Sequence, residues 1–322
     1  MGIRFKVLLV HSTPLETLGG AELSLRHHVE NVPARVTVDV IEPKDEVDLD
    51  DYHAVILGNL RPTVGMGAEL ELLSTIHWTK LLLSYRGFTM KSERDMHPCT
   101  FRDGRCLIGD LLQREPCSCT HTMRDATELL YNACNVVQFL SPAHQHAINQ
   151  LVSIDKRQVV IAPPIDLSRF HSTRPLENRE PKALILGDEI RVAPTAEQRA
   201  RDAGFEPKRI EYLSIDYEDM PALYNRYQAV VVDPIMFHAF GRIVAEAMAC
   251  GCNVLASARV GAISWPDPLA ATQDANKKFW SVVVRGTTLS AFRGWFRTSG
   301  RARTQHTSGL NESGKPQTKA VA

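Results

Sequence analysis

The strongest constraint on this chain is a pattern that occurs twice. Short apolar runs alternate with stretches of helical spacing, stop at a proline-rich break, and resume. Runs at Phe5–Val10, Val36–Ile41, Ala54–Leu57, 81–84, 135–140 and 159–161 read as buried strands. Helices between strands force crossover connections, and crossovers imply a parallel sheet covered on both faces. Residues 162–170 read APPIDLSRF, where two prolines oppose both helix and central strand. The polar stretch 172–181 follows as a linker. Alternation returns with strands expected at 183–186, 209–213, 229–232 and 254–256, and helices at 194–203, 220–227 and 241–250. The expectation is an α/β chain of two Rossmann-like units, 1–165 and 166–296. Beyond Phe296 the composition turns to Ser, Thr, Gly, Lys, Arg and Gln, which predicts a disordered tail over 297–322.

Charge excludes little but favours little. Lys plus Arg and Asp plus Glu each number 37, so the net field gives no reason to expect nucleic acid or membrane as a partner. The apolar run at 7–10 is far too short for a signal-peptide core. No run approaches the roughly 18 apolar residues of a membrane span. No transmembrane segment and a cytoplasmic location are therefore expected.

The segment most suited to chemistry is 237–257, FHAFGRIVAEAMACGCNVLAS. It reads as a loop with Gly241, a helix, Gly251 near the helix end, and a strand. A glycine at a helix mouth lets backbone N–H groups approach an anion, and the helix dipole favours negative charge there. Glu246 lies about one and a half turns further on, where a carboxylate accepts hydrogen bonds from ribose hydroxyls. Gly251 suits a left-handed helix cap. A buried strand–helix–strand with no ligand is the plainer alternative.

This segment resembles the donor-site motif of family 4 retaining glycosyltransferases, which have the GT-B fold of two Rossmann-like domains facing across a cleft. The likeness extends to 159–170 as an interdomain crossover, to 220–225 and 231–234 before the motif, and to the glycine loop at Gly19 and Gly20. It implies a hexosyl- or pentosyltransferase that takes a nucleotide-diphosphate sugar and transfers the sugar to an acceptor hydroxyl with retention, without a catalytic metal. By the same resemblance Glu246 binds the ribose. The backbone of Gly241, Arg242 and Ile243, behind Phe240, holds donor phosphate and sugar. Gly19 and Gly20 leave room for the diphosphate or the acceptor. Three departures stand out. His238 occupies the position of the family's first glutamate, which touches the donor sugar. Arg191 is the one cation in place of the expected Arg and Lys pair. Residues 84–87, SYRG, lack the usual acceptor-side histidine, leaving Arg86 and His97 as substitutes. These departures keep open a non-catalytic member that binds a nucleotide or glycan. The acceptor is unread; a modified nucleobase in DNA is one alternative.

Seven cysteines include Cys99, Cys106, Cys117 and Cys119, clustered with His97 and His121 in an insertion at 95–122. Four soft ligands are enough for a tetrahedral structural zinc. A disulfide or redox pair and unligated thiols are the other readings. The lone His11 after the first strand is read equally as structural or as a ligand.

Overall fold

The computed structural model describes residues 4–17, 19–60, 68–92, 121–187, 192–211 and 214–304. Two parallel sheets organise it. The first contains β1 (Phe5–Val10), β2 (Val36–Ile41), β3 (Ala54–Leu57), β4 (Phe88–Ser92), β5 (Val136–Phe139) and β6 (Arg157–Val160), in the order β2-β1-β3-β4-β5-β6. The second contains β7 (Glu180–Leu186), β8 (Glu206–Ile210), β9 (Tyr227–Val232) and β10 (Asn253–Ala256), in the order β10-β9-β7-β8.

Side-chain alternation along the strands sorts the core. In the first sheet Val7, Leu9, Ile56 and Met90 face one way, against Leu25 of α1 (Gly20–Glu30) and against Phe279 and Val283. Leu8, Val10, Val55 and Leu57 face the other way. They meet Trp78 and Leu82 of α2 (Ala68–Ser84) and Leu130 of α3 (His121–Ala133). β1 and β3 are covered on both faces and read as near-continuous apolar runs rather than alternating ones. The second sheet repeats the scheme. Leu184, Val230 and Val232 pack toward α6 (Met220–Arg226) and α7 (Arg242–Ala249). Ala183, Ile185 and Val231 pack toward α5 (Ala196–Asp202).

Three expectations are corrected. Residues 81–84 are not a strand but the last turn of α2. Thr75, Trp78, Thr79 and Leu82 are buried at helical spacing while Leu83 is 72% exposed. The strand itself is β4, a few residues on, so Arg86 precedes the amino end of β4, away from the carboxyl edge where such sheets bind ligands. The strand expected at 209–213 is β8, which starts and ends earlier.

The third correction concerns the C-terminal segment. After α8 (Pro268–Gln273) a helix, α9, runs over Ala275–Thr304. It therefore continues past Phe296, into the stretch read as disordered; residues 305–322 lie outside the described residues. Its first turns return to the first sheet rather than completing the second unit. Phe279 and Trp280 join the core under β1. His28 Nδ1 bonds Asn276 Oδ1 at 2.8 Å, and its ring stacks on Phe279 at 3.9 Å. Trp280 Nε1 donates to the His28 carbonyl at 2.9 Å. The expected boundaries place this short apolar patch in the second unit, because nothing local to it says which sheet it covers.

α4 (Pro142–Asn149) is capped by Ser141, whose Oγ accepts from the His144 N–H. His144 is fully buried, edge-on to Phe139. Ser141 also ties the two units together, donating to the Ala239 carbonyl at 2.6 Å. The Ala143 N–H donates to Ser264 Oγ, and Trp265 Nε1 to the Leu140 carbonyl.

Candidate functional site

In an open parallel sheet, ligands bind beyond the carboxyl ends of the strands, where successive connections leave in opposite directions. In the second sheet that place lies between β7 and β9. The chain beyond β9 forms a loop and then α7. Gly241 is the N-cap, at φ 82°, a left-handed conformation that L side chains seldom adopt. A Cβ there would also stand 2.7 Å from Val260 Cγ1. The loop is pinned on its other side. The His238 N–H donates to the Arg259 carbonyl, and the Gly261 N–H to the His238 carbonyl, each at 2.8 Å. Phe240, 2% exposed, anchors the turn in the core.

In the first sheet the corresponding place lies between β1 and β3. His11 follows β1 and is buried. Its Nδ1 accepts from the Asn59 N–H at 2.9 Å, which leaves Nε2–H to donate to Glu22 Oε1, also at 2.9 Å. Gly19 caps α1 and Gly20 is its first residue. A Cβ on Gly19 would collide with the Glu22 carboxylate.

The two glycine-headed helices, α1 and α7, meet. Arg242, the first residue of α7, reaches across to α1. Its Nη1 donates to Ser24 Oγ and to the Pro164 carbonyl, both at 2.8 Å. Its Nε donates to Glu246 Oε1 at 3.2 Å and its Nη2 to Tyr217 Oη at 3.2 Å. Glu246, 2% exposed, also accepts from Tyr217 Oη at 3.1 Å and Tyr224 Oη at 3.3 Å. Burial by itself lowers the Arg242 pKa; the Glu246 carboxylate and the Tyr217 hydroxyl outweigh it and raise it. Burial first, then the Glu246 charge, pushes the Tyr217 phenol well above its ordinary value, so it stays a neutral donor.

Gly19, Gly20, Gly241, Arg242 and Glu246 are thus brought to one junction. Ile243 packs partly buried beside the second core, and His238 sits on the adjoining loop, half-buried. Glu246 points into its own network, closed over by Arg242, Tyr217 and Tyr224. Arg191 lies outside the described residues, as do His97, Cys99, Cys106, Cys117 and Cys119, and the His121 side chain is likewise not described. Among the described residues no group of three or more His, Cys, Asp or Glu is placed to hold a metal ion. Among them, too, no helix is long and apolar enough to cross a membrane. Sequence reasoning missed Ser24, Pro164 and Tyr217. None stands near the motif in sequence, and only the fold places them beside it.

Residues 169–264 match the family model described as glycosyl transferases group 1. The match spans less than a third of the chain. The chain's whole fold is GT-B. It superposes with a TM-score of 0.56 on sucrose-phosphate synthase from Thermosynechococcus elongatus, at 14% identity over 89% of this chain and 92% of that one. On Anabaena HepE, solved with UDP and glucose, the score is 0.51, at 14% identity over 92% and 100%. On HepE with UDP-glucose it is 0.50, at 15% identity over 89% and 93%. At such identities the likeness concerns the fold. No curated protein matches the sequence. The matched group 1 segment contains α7, its N-terminal loop and its carboxylate, but not α1.

Proposed function

We propose that this protein transfers a sugar from a nucleotide-diphosphate sugar to an acceptor hydroxyl, with retention at the anomeric carbon. The observation that carries this reading is the meeting of α1 and α7: two glycine-headed helix N-termini, one from each parallel sheet, joined by the Arg242–Ser24 contact at 2.8 Å inside a GT-B fold. Helix N-termini present unsatisfied N–H groups and positive potential, the surroundings a leaving diphosphate needs.

In this reading the first-turn amides at Arg242 and Ile243, above Gly241, hold the phosphates. Glu246 takes the ribose hydroxyls once its own donors yield. Gly19 and Gly20 keep the facing wall low for the diphosphate or the acceptor. The bond from the anomeric carbon to the diphosphate oxygen breaks. The acceptor oxygen bonds to that carbon on the same face, and its proton passes to the departing phosphate. HepE, whose structures hold UDP and UDP-glucose, makes a uridine donor the first to try.

A second reading is favoured by two observations. His238 stands where the family has a glutamate, and Glu246 is covered by its own side chains. On that reading the protein binds a nucleotide or a glycan without turnover. A panel of nucleotide sugars separates the two, scored by thermal shift and by release of the nucleoside diphosphate. Wild type is expected to be stabilised by one donor and to hydrolyse it slowly, and Glu246→Gln to lose both effects. Stabilisation without any release, whatever acceptor is added, supports the non-catalytic reading. No stabilisation by any donor sinks the proposal.

A further inference from the structure

Arg242 is in the wrong place for stability. It is the first residue of α7, where the helix dipole and the free N–H groups favour an anion and disfavour a cation. The first turn of α7 carries no acidic residue to offset it. Its counter-charge is Glu246, one turn deeper on the same helix. Four of the guanidinium's five N–H groups have named acceptors: Glu246, Ser24, Pro164 and Tyr217. The second N–H on Nη2 has none among the described residues. Only Glu246 among these acceptors is charged. The other contacts are a hydroxyl, a carbonyl and a phenol, which a phosphate oxygen outcompetes for a guanidinium.

The Glu246 carboxylate has the complementary problem. Its oxygens are engaged by Arg242, Tyr217 and Tyr224. Buried beneath those donors, it is out of a ribose diol's reach until one of them moves, and Arg242 is the donor with a better partner available. Resting on the donor reading above, we infer that Arg242 is the phosphate-recognising side chain of the site. It sits on Glu246, Ser24 and Pro164 until a diphosphate draws it off, and its departure hands the carboxylate to the ribose. One side chain then makes phosphate binding a condition for ribose binding. The site accordingly selects nucleoside diphosphates over nucleosides.

The test is calorimetric titration of the full chain with UDP, ADP, GDP and CDP and with the matching nucleosides. Wild type, Arg242→Gln and Ser24→Ala are compared, each checked for fold by circular dichroism. Wild type should bind one diphosphate at least a hundredfold more tightly than its nucleoside. Arg242→Gln should weaken the diphosphate tenfold or more while the nucleoside binds as well as before or a few-fold better. Ser24→Ala keeps the cation but removes one of its resting partners, so it should tighten the diphosphate two- to fivefold. It also carries the test if the glutamine variant does not fold. Equal weakening of diphosphate and nucleoside in Arg242→Gln would mean a structural clamp and overturn the inference. So would diphosphate affinity unchanged within threefold, or weaker binding by Ser24→Ala. Diphosphate binding that survives Arg242→Gln removes this inference alone, whereas a wild type that binds none of the four removes the donor reading with it.

Discussion

The two ends of α7 each hold an arginine, and the arginines are unlike. At the C-terminal end Arg179, 4% exposed, donates to the Cys250 carbonyl at 2.7 Å, to Ser172 Oγ at 3.0 Å and to Asn225 Oδ1 at 3.1 Å. It also reaches the carbonyls of Arg174 and Tyr224. A cation there complements the negative end of the dipole. The same end closes in a Schellman motif: Gly251 at φ 79°, its N–H on the Met248 carbonyl and the Cys252 N–H on the Ala247 carbonyl, each at 2.9 Å. Everything at this end is satisfied within one unit by neutral, mostly main-chain acceptors. At the other end Arg242 opposes the dipole, depends on a carboxylate, and spans both units. A cation that follows the local field is a structural pin; one set against it is what the inference for Arg242 requires.

Three variants press on that contrast. Glu246→Ala has the largest effect. It strands a largely buried guanidinium at the positive end of a helix, and the expected loss is about 4 kcal/mol in urea unfolding. Adding Arg242→Met to that background should return most of the loss, because it removes the stranded charge. No such recovery would mean that Arg242 and Glu246 are not coupled. Arg179→Ala comes next, at about 3 kcal/mol, because it leaves the carbonyls of Cys250 and Arg174 and the Asn225 amide oxygen short of a donor. Nucleotide affinity per folded molecule should stay unchanged; a fall of tenfold would make the C-terminal end part of the site and erase the contrast.

The smallest effect belongs to Asp233, just beyond β9, where a carboxylate meets a cation without straddling the units. Burial by itself raises its pKa; the hydrogen bond from Thr195 and the nearby Arg199 charge outweigh that and hold it below its usual value of 3.8. A depressed folded pKa contributes stability that is present above the unfolded value and is lost as pH falls through the folded one. Asp233→Asn should therefore flatten the decline of the unfolding midpoint below about pH 4 and leave the pH dependence above pH 6 unchanged. An unaltered acid limb would show that the carboxylate carries no such linkage.

Nearby thiols tell the same story of enclosure. Burial pushes Cys250 up to about 12 and Cys252 up to about 11, so neither is a thiolate near neutrality. The motif's Cys-Gly-Cys run packs around the Arg179 pin.

The sequence by itself determined most strands of the two parallel sheets, because strands buried on both faces read as apolar runs and the crossovers between them as helices; β4, whose run FTMKS mixes apolar and polar residues, was not legible. It also determined the glycine-headed turn at Gly241 and the cap at Gly251, because left-handed backbone is nearly a glycine property. Only the tertiary structure decided that α9 leaves the second unit for the first, since a single apolar patch of Phe279, Trp280 and Val283 within a polar stretch does not say which sheet it will cover. Only the tertiary structure, likewise, set Ser24, Pro164 and Tyr217 around Arg242. Those residues lie far apart along the chain, and their hydrogen bonds exist once the two sheets have brought them within 3 Å or so of one guanidinium.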